Sequence, residues 1–260
     1  MQNQLTKKVN AMFNLDYSKE DDIWLQKSKT LRKLIGVLGM ALPFILIIIT
    51  FLFFDLARPI ESISHYYYTR AGTVFTVILS VIAIFLIVYS GKEPKDFYIS
   101  TFAGIFALFV VFFPTGNLSE VCCDTLREYS VTFIKGNASA GFRETFHLVS
   151  AGIFIALLAY MSLFIFTISN KPKEKRGRKK RIRNRIFRCS GVLIIFALLV
   201  IVLGLDGINV IPRDFYDNNQ LTFWMETVAV ESFGFAWLIK GEAMFGDDPE
   251  YMAMSTASES

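Results

Sequence analysis

This chain has only two histidines, His65 and His147, and each has a serine three positions away, Ser62 and Ser150. Two carboxylates, Glu226 and Glu231, stand inside the otherwise uncharged run 221–239, while Asp55 and Asp206 close two other apolar runs. Imidazoles and carboxylates of this kind can do three sorts of work. His65, His147 and Glu226 could ligate a divalent ion such as zinc, leaving a fourth position for a water that attacks a lipid ester or amide. Without a metal, a histidine could serve as general base, oriented by a carboxylate, with Ser62, Ser64 or Ser150 as nucleophile. In the third reading the groups are structural: they hydrogen-bond across helices at headgroup level, and Arg70 and Arg143 contact lipid phosphates. No spacing motif of the His-Glu-x-x-His type selects among the three.

Whether these residues can meet depends on the elements that carry them. Six apolar stretches, 34–54, 71–91, 97–113, 148–168, 189–205 and 221–239, are candidates to cross a bilayer, since a hydrocarbon core of about 30 Å needs roughly 20 apolar residues in a helix. Composition agrees, with 53% hydrophobic residues, 26 phenylalanines and only 19% charged residues. Mean hydropathy is +0.43. The expected fold is therefore an all-α polytopic membrane bundle of six transmembrane helices. Residues 1–33 form an N-terminal tail, 34–240 the membrane domain and 241–260 a C-terminal tail. The first apolar run begins after more than thirty polar residues and is too long for the apolar core of a signal peptide, about 7–15 residues, so it is expected to remain as the first helix.

Orientation follows from the basic residues. Twenty-one of the 27 lysines and arginines fall in the N-terminal tail, the turn after the second run, the segment 171–188 and Lys240. The six others, Arg58, Arg70, Arg127, Lys135, Arg143 and Arg213, belong to the opposite side. The positive-inside rule then places both termini in the cytoplasm, in a membrane expected to be the bacterial inner membrane. The eleven basic residues of 171–188 read as a topology determinant touching anionic lipid. With one aromatic, Phe187, they offer no stacking platform, and no nucleic-acid partner is expected. Expected partners are membrane lipids, with a second copy of the chain or another membrane protein also open.

This topology brings the chemistry-bearing residues to one level. The second, fourth and sixth runs begin at the outer face and the first and fifth end there, so His65, His147, Glu226, Asp55 and Asp206 share that face. Such convergence suits an outward-opening polar pocket, with Ser62, Ser150, Arg70, Arg143 and Asp206 as further ligand-binding candidates. Glu226 and Glu231 are five apart, about 140° around a helix, so both cannot face one narrow pocket; Glu231, lying deeper, should seek a partner on another helix. The inner face presents no comparable set. Gly152, Ala156 and Ala159 form a small-residue face suited to close helix packing, and Tyr66, Tyr67 and Tyr68 fit interfacial anchors. Cys122 and Cys123 are adjacent, and Cys189 lies a bilayer thickness away from them, too far for a disulfide. Asn117 and Asn137 begin formal glycosylation sequons.

Phe113-Pro114-Thr115, Phe146-His147-Leu148 and Phe223-Trp224-Met225-Glu226, set in a six-run layout over residues 34–240, resemble bacterial members of the Frag1/DRAM/Sfk1-type six-helix membrane proteins. The resemblance implies a connection with lipid organisation or remodelling but transfers no catalytic residue. The histidine pair of alkaline ceramidase-like hydrolases is missing. The leading expectation is a bundle that binds, organises or senses a lipid or small polar ligand. A lipid hydrolase or transferase using His65, His147 and Glu226 is the alternative, and transport of a solute or proton past Glu231 the third.

Overall fold

The computed structural model describes residues 21–53, 58–89, 94–116, 140–168, 177–205, 207–208 and 210–241. Asp55, Asp206, Cys122, Cys123 and both sequon asparagines lie outside the described residues. Among the described residues every regular element is helical. In chain order these are α1 (Asp21–Phe53), a 3₁₀ segment (Ser64–Tyr68), α2 (Gly72–Val88), α3 (Pro94–Phe112), α4 (Ala140–Tyr160), α5 (Arg178–Leu203), α6 (Arg213–Asn218) and α7 (Leu221–Lys240). Helix α4 runs directly into one π-helical turn, Met161–Ile165.

Among the described residues four helices are long and apolar enough to cross a membrane: Thr30–Leu52, Pro94–Phe112, Gly141–Ile165 and Arg178–Leu203. Helix α2 is equally apolar but has 17 residues. Helix α7 has 20 residues and carries Glu226 and Glu231. The outward faces are those of a body immersed in hydrocarbon. Phe44, Ile48 and Leu52 of α1, Val77, Ile84 and Val88 of α2, and Val192, Phe196 and Leu199 of α5 are all exposed. In water such continuous apolar stripes would drive aggregation.

Each helix packs on its neighbours in sequence, and α7 closes a ring by lying between α5 and α1. Close approach occurs where side chains vanish. A Cβ on Gly36 of α1 would stand 2.8 Å from the Gly234 carbonyl oxygen of α7, and one on Gly104 of α3 would stand 2.5 Å from the Ala83 oxygen of α2. The small-residue face read on α4 behaves otherwise: a Cβ on Gly152 meets nothing within 4 Å. Ala156 is exposed, and only Ala159 joins the core. Packing without a hydrophobic driving force selects small residues where backbones touch, which a spacing pattern alone does not locate.

One end of the ring is tied together by the segment between α1 and α2. Tyr66, fully buried, hydrogen-bonds Thr50 of α1. Tyr68 donates from its hydroxyl to the Thr115 carbonyl at 2.6 Å, reaching the end of α3. The Phe223 amide of α7 donates to the Glu61 carbonyl at 2.9 Å. Tyr66 and Tyr68 therefore face inward as cross-links rather than outward as interfacial anchors; a buried tyrosine needs a hydroxyl partner, and each has one. At the far end Trp237 of α7 is fully buried among Phe85, Tyr89, Phe166 and Phe233. Arg32 lies over Tyr89 and Lys240 over Phe166, and Asp96 is buried nearby, 1% exposed. The far end thus holds a buried acid beside aromatic-covered cations, which the distribution of basic residues alone did not suggest.

Candidate functional site

A cavity of about 320 Å³ opens at the tied end of the ring. Its walls come from five places: the segment before α2 (Glu61, Ser62, Ser64, His65), the end of α3 (Thr115), the start of α4, the end of α5, and α6 with the start of α7. His65, His147 and Glu226, 161 residues apart at the extremes, all line it.

Each of the three is already committed on one side. The Ile63 amide donates to Glu226 Oε2 at 2.6 Å, and Ser64 adds backbone and side-chain donors to the same carboxylate. Glu226 thereby takes up the first N–H groups of the 3₁₀ segment, donors that a helix start leaves without internal partners. His147 Nδ1 donates to the Phe113 carbonyl at 2.8 Å. Since a carbonyl can only accept, the proton of this imidazole sits on Nδ1 and Nε2 is left with its lone pair. His147 serves the orphan carbonyls at the end of α3, just where Pro114 prevents the helix from continuing. His65 Nδ1 lies 2.7 Å from Ser62 Oγ, which also accepts from the His65 amide at 3.2 Å. Burial pushes the His65 imidazole down to about 4, with the neighbouring His147 ring adding to the shift, so it is neutral at physiological pH.

Those commitments bear on zinc. Among the described residues no group of three His, Cys, Asp or Glu side chains is placed to hold a metal ion. Of the set His65, His147 and Glu226, the carboxylate clasps amide donors and the His147 imidazole is turned to a helix end. Ser62 stands where expected, bonded to His65. Ser150, 1% exposed, lies outside the cavity wall and its Oγ has no hydrogen-bond partner among the described residues. Arg70 and Arg143 are not in the wall either. Glu231 also lies away from the cavity, and its Oε1 finds no hydrogen-bond partner among the described residues.

The rim is built from residues that the apolar runs do not include. Arg213 Nε donates to Asp217 Oδ2 at 2.7 Å along α6, and the Arg213 guanidinium also reaches the Gly204 carbonyl at 3.3 Å. Tyr216, packed directly over Gly204, shares a 2.9 Å hydrogen bond with Thr222. Glu61 faces this pair. Burial, then the Asp217 charge, raises its carboxyl above the usual range, while Arg213 and Arg58 oppose the shift. Gln220 adopts a left-handed backbone, φ 44°, at the start of α7; its side-chain oxygen, suitably oriented, accepts twice from Arg58 at 3.1 Å. A non-glycine residue in that conformation costs roughly 1–2 kcal/mol and persists only where neighbours hold it. The i, i+4 spacing of Arg213 and Asp217 after Pro212 is the one sequence signal that could have revealed α6.

Beneath this polar rim the cavity turns apolar. Leu148, Ala151, Gly152 and Ile155 of α4 face Leu198, Ile201, Val202 and Leu205 at the end of α5. The two helices meet at the other end, where a Cβ on Gly191 would stand 2.4 Å from Leu163 and 3.2 Å from the Ala159 carbonyl. From that contact they diverge into a wedge. Leu148 and Val202 line the wedge and are 43% and 36% exposed, so it reaches the outer surface of the bundle. Compared with protein-family profiles, with curated proteins and with solved structures, the chain matches none.

Proposed function

We propose that this is a six-span membrane protein with both termini in the cytoplasm, and that its cavity binds a membrane lipid from the outer leaflet. The observation carrying this reading is the α4–α5 wedge, apolar on both walls, open at the bundle surface and continuous with a polar chamber. A water-soluble ligand has no use for the side opening. A lipid does: its first acyl methylenes fill the wedge while the head lies under α6 and the rest of each chain stays in the bilayer. At about 320 Å³ the cavity is at the small end of ligand pockets, enough for a head and the nearest chain segments. Basic-residue asymmetry supports the orientation, and the resemblance to lipid-associated six-helix proteins points the same way. The bacterial inner membrane is the setting this reading implies.

The test uses a phospholipid carrying a diazirine near the ester end of its chain. Irradiation of purified protein in lipid nanodiscs should attach it to peptides containing residues 148–155 and 198–205. Gly152→Trp projects a side chain into open space and should lower that attachment about tenfold, a loss near 1.4 kcal/mol of binding. Equal labelling of wild type and variant, or labelling spread evenly over all helices, overturns the reading.

One observation favours a second reading, a lipid hydrolase: the 2.7 Å contact between Ser62 Oγ and His65 Nδ1. In that case a fluorophosphonate should label Ser62 and not Ser62→Ala, and absence of labelling removes it.

A further inference from the structure

Of the two carboxyl groups on α7, the cavity uses Glu226 and leaves Glu231 aside. Glu231 lies ten residues from Leu221 and nine from Lys240, about 14 Å from either end of the helix at 1.5 Å per residue. With α7 crossing the bilayer, as the six-span reading has it, that is the middle of the hydrocarbon. Trp224, Val228, Glu231, Phe235 and Leu238 follow one another at alternating steps of four and three residues, and all five are exposed or partly exposed. Phe233 and Trp237, on the other side of the helix, are buried. The stripe therefore looks out of the bundle, and four of its five members are at ease against acyl chains. Glu231 is not. Its Oε1 is covered by protein yet finds no hydrogen-bond partner among the described residues, and a lipid tail has none to give. Carboxyl groups at that depth are rare and costly unless paired.

We propose that a second copy of the chain covers this stripe, and that the two Glu231 carboxyls hydrogen-bond each other across a two-fold axis. Depth selects this occupant. Two copies inserted with the same orientation are related by an axis along the membrane normal, so a residue beside that axis meets its own counterpart at its own level. A second copy thus brings a carboxyl to the place where one is unpaired. It brings no cation there, because the six apolar runs contain no lysine, arginine or histidine. The contact is between like groups, and a carboxylic acid suits such a contact. Its O–H donates and its carbonyl accepts, so two of them close a reciprocal pair, whereas two carboxylates could only accept. Between transmembrane helices such hydrogen bonds favour association where apolar contact, no better than contact with lipid, does not. This interface does not depend on what fills the α4–α5 wedge.

The test is disulfide trapping of the full chain, made cysteine-free, in isolated membranes. Phe235→Cys places a thiol one turn from Glu231 on the same stripe, and Phe102→Cys places one on the exposed surface of α3 as a control. Copper–phenanthroline oxidation should link two copies through residue 235 and not through residue 102. Adding Glu231→Leu to Phe235→Cys should lower the dimer fraction about fivefold, within the range of one interhelical hydrogen bond in a bilayer. Adding Glu231→Gln, whose amide also donates and accepts, should leave the fraction near its parent level. Leucine is at home against lipid, so the Glu231→Leu chain should melt in detergent no lower than its parent, which separates loss of pairing from loss of fold. A dimer fraction unchanged by Glu231→Leu, dimers as abundant through residue 102 as through 235, or cross-links from residue 235 to a different protein in place of the dimer overturns the proposal.

Discussion

Glu226 and His147 are the residues whose roles change most between sequence and structure. Both occupy the predicted end of the bundle, because alternation of helix direction fixes depth. Neither role could be read, because the partners are backbone atoms: the Ile63 amide 163 residues from Glu226, and the Phe113 carbonyl 34 residues from His147. Glu226→Ala leaves buried amides without an acceptor and should cost about 1–3 kcal/mol, whereas Glu226→Gln keeps an acceptor and should cost less. Thermal denaturation in detergent ranks the three proteins, and equal melting temperatures would refute the clasp. His65 gives a pH signature. Its folded-state value lies near 4 against an ordinary 6.5, so between those values the unfolded chain binds more protons than the folded one. Stability is therefore fully present above pH 6.5 and is lost as pH falls toward 4. His65→Asn should flatten the melting-temperature profile over that window. A profile as steep as wild type would mean that another group carries it.

At the level of helices, apolar length was legible and contact geometry was not. Each predicted run overlaps a helix, yet the close crossings involve Gly36, Gly104, Gly191 and Gly234, and of the face Gly152, Ala156 and Ala159 only Ala159 lies at one of them. Small residues at helical spacing are permissive of close packing; only the neighbour's path decides whether they are used. A Cβ on Gly36 would clash with backbone of α7, while one on Gly39 finds its nearest atoms at 3.9 Å. Gly36→Ala should therefore destabilise by about 1–3 kcal/mol, as overpacking does. Gly39→Ala should be neutral or slightly stabilising, since alanine is the better helix former. The reverse order would show that α1 and α7 do not cross at Gly36. Helix α6 escaped the sequence because six polar and aromatic residues between two apolar runs look like a solvated loop. Only its Arg213–Asp217 spacing hinted at order.

For the whole molecule, the distribution of charge and hydropathy gave the class, while the route of the chain around the ring required coordinates. The six-span orientation has a direct check. In a cysteine-free background, Phe142→Cys should react with a membrane-impermeant maleimide on intact cells, and Arg178→Cys only after lysis. Both side chains are exposed on the bundle, and the opposite pattern inverts the topology. The ring also constrains biogenesis. Among the described residues α1 to α5 pack chiefly on their sequence neighbours, and the arc they form is closed where α7 packs on both α5 and α1. A chain that stops before α7 lacks the helix that packs on both α1 and α5, and its Tyr66 lacks the ring contact with Phe223. Quality-control proteases should recognise chains stopped at residue 220 and spare those stopped just beyond Gly241.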